Sequence, residues 1–208
     1  MSTARQGNDK TIRVQAGQSI QAAINTAPRG SRIFVDPGTY AEQLLIKTDG
    51  ISLIGYGVTL KPQEPPVENE CTNFAGPVDP SVDNAPTQAG ICVAGSGLKL
   101  SDFVVEHKRV IAVQTPVKGV TVSGFTVSGF SGFNILIIGG ENIEVCSNKL
   151  LDGPKYGFLT AGSKNTKVSN NEITSTLPGF HFIGLCMDNF SKVKVSRNKI
   201  STYFIGLW

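Results

Sequence analysis

The chain has 208 residues, 40% hydrophobic and 17% charged, enough for one sizeable core and too few for several large domains. Lys and Arg number 19 against 16 Asp and Glu, a formal net charge of +3. The basic residues are scattered among acidic ones, which argues against nucleic acid as the main partner. No apolar run approaches the ~20 residues that span a bilayer, and the opening MSTARQGNDK has no signal-peptide core. No membrane partner is therefore expected, and the chain reads as intracellular or as a mature form whose leader has been removed, with the exported form ranked first.

Residues 1–10 read as a tail and residues 11–208 as one domain. In GQSIQAAINTAPRG, Ile20, Ala23, Ile24 and Ala27 keep helical spacing, and Pro28 with Gly30 stops it. This predicts a short helix that caps the N-terminal end of the domain. SRIFVDPGTYAEQLLI then reads as strand, turn, strand. GISLIGYGV alternates apolar and other residues through Ile51, Leu53, Tyr56 and Val58, and a long insertion, 61–90, rich in Pro, Asn, Asp and Gly, comes next. A loop of that length is a lid or functional excursion, or a decoration pinned by Cys71 and Cys92. Both the bonded and the free state of those cysteines stay open at this stage.

Beyond the insertion the sequence repeats itself. GLKLSDFVV, GVTVSGFTV, ENIEVCSNKL, KNTKVSNNEI and FSKVKVSRNKI succeed one another at a period in the twenties, the signature of a solenoid whose coils bury their apolar faces only by stacking. The units are β-branched and alternating, without a leucine-rich spine, so the coils are all β. YGFLTA, IGLCMD and FIGLW supply a further strand per coil, with Gly157, Gly184 and Gly206 in register. Three short parallel strands per coil make a right-handed parallel β-helix.

Asn148, Asn171 and Asn198 recur at one corner, where a left-handed backbone and an amide ladder are expected. Phe103, Phe125 and Tyr56 would continue that position as an aromatic stack. The last coil ends without a capping element, so end-on self-association into a homo-oligomer, or a longer β-helix, is expected.

SIQAAINTAPRGSRIFVDPGTYAEQLLIKTDGISLIGYG resembles the N-terminal cap and first coils of pectin-lyase-like right-handed β-helix proteins, and the NIEVCSNKL units resemble their parallel β-helix repeats. The opening is most similar to pectin methylesterases, but the glutamine-aspartate and arginine-tryptophan pairs of their later coils have no match. The overall pattern is closer to the β-helix repeat proteins grouped with copper-site accessory proteins and carbohydrate-binding sugar hydrolases.

The resemblance implies a carbohydrate-active protein, acting on an acidic polysaccharide through a groove on an outer sheet as a lyase, hydrolase or epimerase. The alternative is a non-catalytic binding or structural β-helix. It directs attention to the turns that enter the YGFLTA-type strands. Arg109, Asp152, Lys155 and His181 are the candidate catalytic residues there, and His107, Tyr156, Phe180, Phe182 and Tyr203 the candidate substrate-binding ones.

Elimination would use Arg109 or Lys155 as base. Hydrolysis would need paired carboxylates, for which Asp152, Asp188 and Glu106 are available. No cofactor is implied. Ca2+ is the one metal candidate, with Asp152 and Asp188 too few for a cation that takes six or more oxygens.

Overall fold

The computed structural model describes residues 10–79 and 83–208, so all of the expected tail except Lys10 lies outside it. The chain winds as a parallel β-helix. One sheet carries, in order, Thr11–Val14, Arg32–Val35, Ser52–Lys61, Thr121–Ser128, Glu144–Cys146, Thr166–Ser169 and Val193–Ser196. Past a corner the same sheet continues through Lys149–Leu151, Glu172–Thr174 and Lys199–Ile200. The second sheet stacks Leu44–Ile46, Ala89–Ala94, Phe133–Ile138, Tyr156–Ala161, Ile183–Asp188 and Ile205–Leu207.

Every pairing within these two sheets is parallel, and the register is continuous except for a shift between Ser123 and Phe125 where Thr121–Ser128 meets Ser52–Lys61. Ile33, Leu53, Val122, Val145, Val168 and Val195 form one inward column, and Leu44, Ile91, Ile135, Phe158 and Leu185 form its counterpart on the opposite wall. A short side chain repeated at each coil fills the interior only when its neighbours above and below are in place, which is why the repeat units are similar.

The helix is Ile20–Thr26. Ser19 caps it, and Glu42 from the next coil accepts from the Ile20 and Gln21 N–H groups and from the Ser19 hydroxyl. Those free N–H groups and the helix dipole both favour a carboxylate there. Ile20 and Ile24 are buried against the first coils.

Two sequence expectations are corrected. GLKLSDFVV is not a coil: Ser52–Lys61 pairs directly with Thr121–Ser128, while Ser96–Leu100 pairs antiparallel with Val110–Thr115. Leu98 and Leu100 alternate because this hairpin lays them on the outside of the second sheet, and alternation alone does not say which surface a strand covers. The aromatic stack also fails. Val58, not Tyr56, shares the register of Phe125, and Tyr56 is 85% exposed.

One coil thus carries two excursions, 62–88 before Ala89–Ala94 and 96–115 after it. Described residues of both, among them Cys71, Phe74, Leu98 and Val110, pack on the second sheet's outer face. That explains its composition: AGICVA, FNILII and YGFLTA are buried throughout, as strands covered on both sides must be. Cys71 is disulfide-bonded to Cys92 across a separation of 21 residues, tying the first excursion to that face.

The glycine register has a steric cause. A Cβ on Gly157 would lie 2.3 Å from Ile173 Cγ2 and 2.7 Å from the Gly184 carbonyl oxygen. Gly157→Ala is expected to lower stability by about 1–3 kcal/mol through overpacking. Urea unfolding checks this, and an unchanged midpoint would mean that the Ile173 column relaxes freely.

Candidate functional site

The covered face of the second sheet holds a cluster of polar side chains. Tyr156 opens one strand and points outward, Asp188 closes the next one, and both lie under the segment linking the two hairpin strands. That segment turns at Glu106, whose φ is 61°, and delivers His107 and Arg109. The Lys108 N–H donates to the Phe74 carbonyl at 2.7 Å, which joins the two excursions. Phe74 then stacks on the imidazole, with ring centroids 5.7 Å apart, while Tyr156 meets it edge-on at 5.5 Å.

His107 bridges Asp188 and Tyr156, with Arg109 Nη1 also 3.2 Å from its Nε2. Its Nε2 lies 2.7 Å from Asp188 Oδ2 and its Nδ1 2.9 Å from the Tyr156 hydroxyl. An ionised Asp188 can only accept, so Nε2 carries the proton and Nδ1 accepts from Tyr156 O–H. Burial pushes the His107 pKa down, outweighing the opposite pull of the Asp188 hydrogen bond and charge, so the ring is neutral at pH 7. Burial would raise the Asp188 pKa, but the Asn189 N–H, His107 and Arg109 outweigh it and hold the carboxyl below its ordinary range. The Tyr156 hydroxyl is raised by burial, and the same burial pushes the adjacent Cys186 thiol up to about 12.

Arg109 completes the cluster. It pairs with Asp188 and reaches Glu106 Oε2 at 3.5 Å. The His107 side chain is 2% exposed, against 45% for Arg109, 25% for Glu106 and 24% for Asp188. The surface there presents two carboxylates on one guanidinium, backed by a buried imidazole and phenol.

The remaining predicted residues fall elsewhere. Asp152 sits at a corner with φ 57° and accepts from the Thr176 N–H at 2.7 Å, its hydroxyl at 2.9 Å, and more distantly from Ser175 and Ser128. Burial opposes these bonds, yet they hold its carboxyl below the ordinary range. Donors from the coils on either side use its acceptor capacity, so it stitches the corner together. His181 Nε2 is 2.7 Å from Ser175 Oγ in that corner, and its ring meets Tyr203 edge-on at 5.9 Å. Lys155 donates to the Ala75 carbonyl at 3.0 Å and to that of Pro77, anchoring the first excursion.

Phe182 packs on Tyr156 at 5.9 Å, and Phe180 continues the row at 6.1 Å to Phe182 and 5.5 Å to Phe204. Phe180 and Phe204 are mostly exposed. The nine candidates thus divide into an outer-face group (His107, Arg109, Tyr156, Phe180, Phe182), a corner group (Asp152, His181, Tyr203) and the anchor Lys155. Sequence reasoning did not find Phe74, because only the fold of the excursion brings it onto His107.

A winding parallel sheet with a polar cluster on a covered outer face defines the class as a right-handed parallel β-helix. The chain belongs to the right handed beta helix region family, whose model matches residues 48–207. No curated protein matches it. Among solved structures it is similar to the Family 28 exopolygalacturonase of Yersinia enterocolitica, at 14% identity and TM-score 0.52 over 91% of this chain and 48% of that one. It is also similar to the pectate lyase Pel9A, at 14% identity and TM-score 0.53 over 94% of this chain and 56% of that one. The chain thus spans about half the length of these two structures, and the likeness is one of fold.

Proposed function

We propose that this β-helix binds and hydrolyses an acidic polysaccharide on the outer face of its second sheet. The observation that carries the reading is the pair of part-exposed carboxylates, Glu106 and Asp188, sharing Arg109, on a sheet face whose other end carries the exposed Phe180 and Phe204. The structural neighbours, an exopolygalacturonase and a pectate lyase, support the substrate class.

Hydrolysis suits these groups better than elimination does. An eliminating base needs an unshared electron pair, whereas the Arg109 guanidinium lies between two carboxylates and the Lys155 ammonium donates to two carbonyls. In the hydrolytic scheme a sugar carboxylate takes the place of Glu106 on Arg109, a fork that suits carboxylates. Asp188, ionised, removes a proton from the water that attacks the anomeric carbon, and Glu106 as the carboxylic acid protonates the departing glycosidic oxygen. His107 and Tyr156 touch no substrate in this scheme and position Asp188.

Chromatography of the products from a panel of acidic and neutral glycans tests the reading. Shortened, saturated products from an acidic glycan are expected. Unsaturated products would replace hydrolysis by elimination, retention without products would make the protein a binding module, and neither binding nor cleavage of any glycan would sink the carbohydrate reading.

A further inference from the structure

The corner after Asp188 differs from its equivalents. In the two preceding coils the strand end is followed by a glycine with positive φ, Gly139 at 65° and Gly162 at 61°. Asn189 takes that place with φ 52°. The stacking bonds then align Gly140, Ser163 and Ser191, because the Gly140 N–H donates to Ser163 Oγ and the Ser163 N–H to Ser191 Oγ. One residue is therefore extra in this corner, and it is Phe190.

Phe190 has φ 57° and is fully exposed at 102%. A turn with positive φ at both central positions favours Asn followed by Gly, and a bulky side chain there is an outlier. The ring recovers none of that cost by packing, since no described group covers it. The turn beneath is nonetheless firmly held. The Ser191 N–H and hydroxyl both donate to the Asp188 carbonyl, at 3.2 and 2.6 Å, and the Asn189 amide clamps the Val110 N–H and carbonyl at 3.1 and 3.2 Å. An aromatic ring is thus mounted on a rigid turn two residues past the carboxylate of the proposed site.

We infer that Phe190 is a stacking platform for a sugar ring of the acidic polysaccharide bound at Glu106, Arg109 and Asp188, and so a specificity-determining residue of that site. The inference rests on the proposed function. A pyranose presents a face of C–H groups, which an exposed aromatic face receives, while its carboxylate and hydroxyls turn toward the charged cluster. A strained, exposed ring whose compensation comes only from a ligand is the pattern expected where backbone strain marks function.

The test is affinity electrophoresis in polygalacturonate with thermal melting of the same samples, for the wild type, Phe190→Gly and Phe190→Trp. Phe190→Gly removes the ring and relieves the turn, so its melting midpoint should rise by about 2–4 °C. Its retention should weaken about three- to tenfold, the range of one aromatic stacking contact. Phe190→Trp should be retained at least as strongly as the wild type. A retained wild type with an equally retained Phe190→Gly overturns the role of Phe190 alone. A lowered midpoint for Phe190→Gly overturns it too, by showing that the ring packs in the fold. A wild type that polygalacturonate does not retain overturns the acidic-glycan reading and this inference with it.

Discussion

Asn171→Ala is expected to destabilise the protein by about 3–5 kcal/mol. Asn171 is 2% exposed, and its side chain serves three neighbours. Its Oδ1 accepts from the Asn148 N–H at 3.0 Å and the Asn148 amide at 3.1 Å, while its Nδ2 donates to the Val145 carbonyl at 3.0 Å and to Asn198 Oδ1 at 2.9 Å. Alanine leaves the Asn148 N–H and the Val145 carbonyl buried without these partners, and each such loss costs about 1–3 kcal/mol. The remaining cost is the small void left beside them. Asn198 is only half-buried at the other end of the ladder, so Asn198→Ala should cost less. Urea unfolding with an unchanged m-value measures both. A cost below about 1 kcal/mol for Asn171→Ala would mean that the ladder is only an alignment and not a source of stability.

The same ladder shows what was legible in the sequence and what was not. Recurrence of Asn148, Asn171 and Asn198 placed a corner correctly and foretold bonds between coils. The left-handed backbone lies one residue before the asparagine position: the positive φ values fall on Gly124, Ser147, Asn170 and Arg197, at 78°, 58°, 55° and 55°. The preceding residue makes the turn, and the asparagine fills it. Phe125 shows the division of labour, because its N–H donates to Asn148 Oδ1 at 3.0 Å although its own side chain cannot continue the ladder.

The site was legible in composition and not in grouping. Register arithmetic treats every coil as equal, and so lines up Arg109, Asp152, Lys155, His181 and Tyr203 as one strip. Arg109 arrives instead on an excursion outside the coil register and crosses to the strand end at Asp188, 79 residues away. Asp152 and His181 obey the register and stay at the corner. The cluster forms where an excursion, carrying Glu106, His107 and Arg109, crosses the register strands that carry Tyr156 and Asp188. Repeats predict stacking partners, whereas excursions are fixed by what they cover, here an apolar sheet face and a buried imidazole.

Under the proposed hydrolytic scheme, Asp188→Asn is expected to reduce turnover of an acidic glycan at least about 100-fold, the scale of losing a general base. It should leave retention on that glycan nearly intact, because Arg109 and the aromatic row remain. The substitution also alters a pH dependence whose sign is set by the cluster. Both His107 and Asp188 have folded pKa values below their ordinary ones, so the unfolded chain binds more protons than the folded one as the pH falls, and acid destabilises. The His107 contribution is fully present above about pH 6.5 and is lost as the pH falls from there toward its lower folded value. That of Asp188 is lost in the same way below about pH 3.9.

Removing the carboxylate abolishes the lower arm. It steepens the upper one, since Asp188 is the partner that favours a protonated His107. Melting midpoints from about pH 2 to 8 for the wild type and Asp188→Asn read both arms. Equal slopes below pH 6.5 would show that His107 does not feel Asp188, and would remove the electrostatic link on which the cluster's positioning role depends.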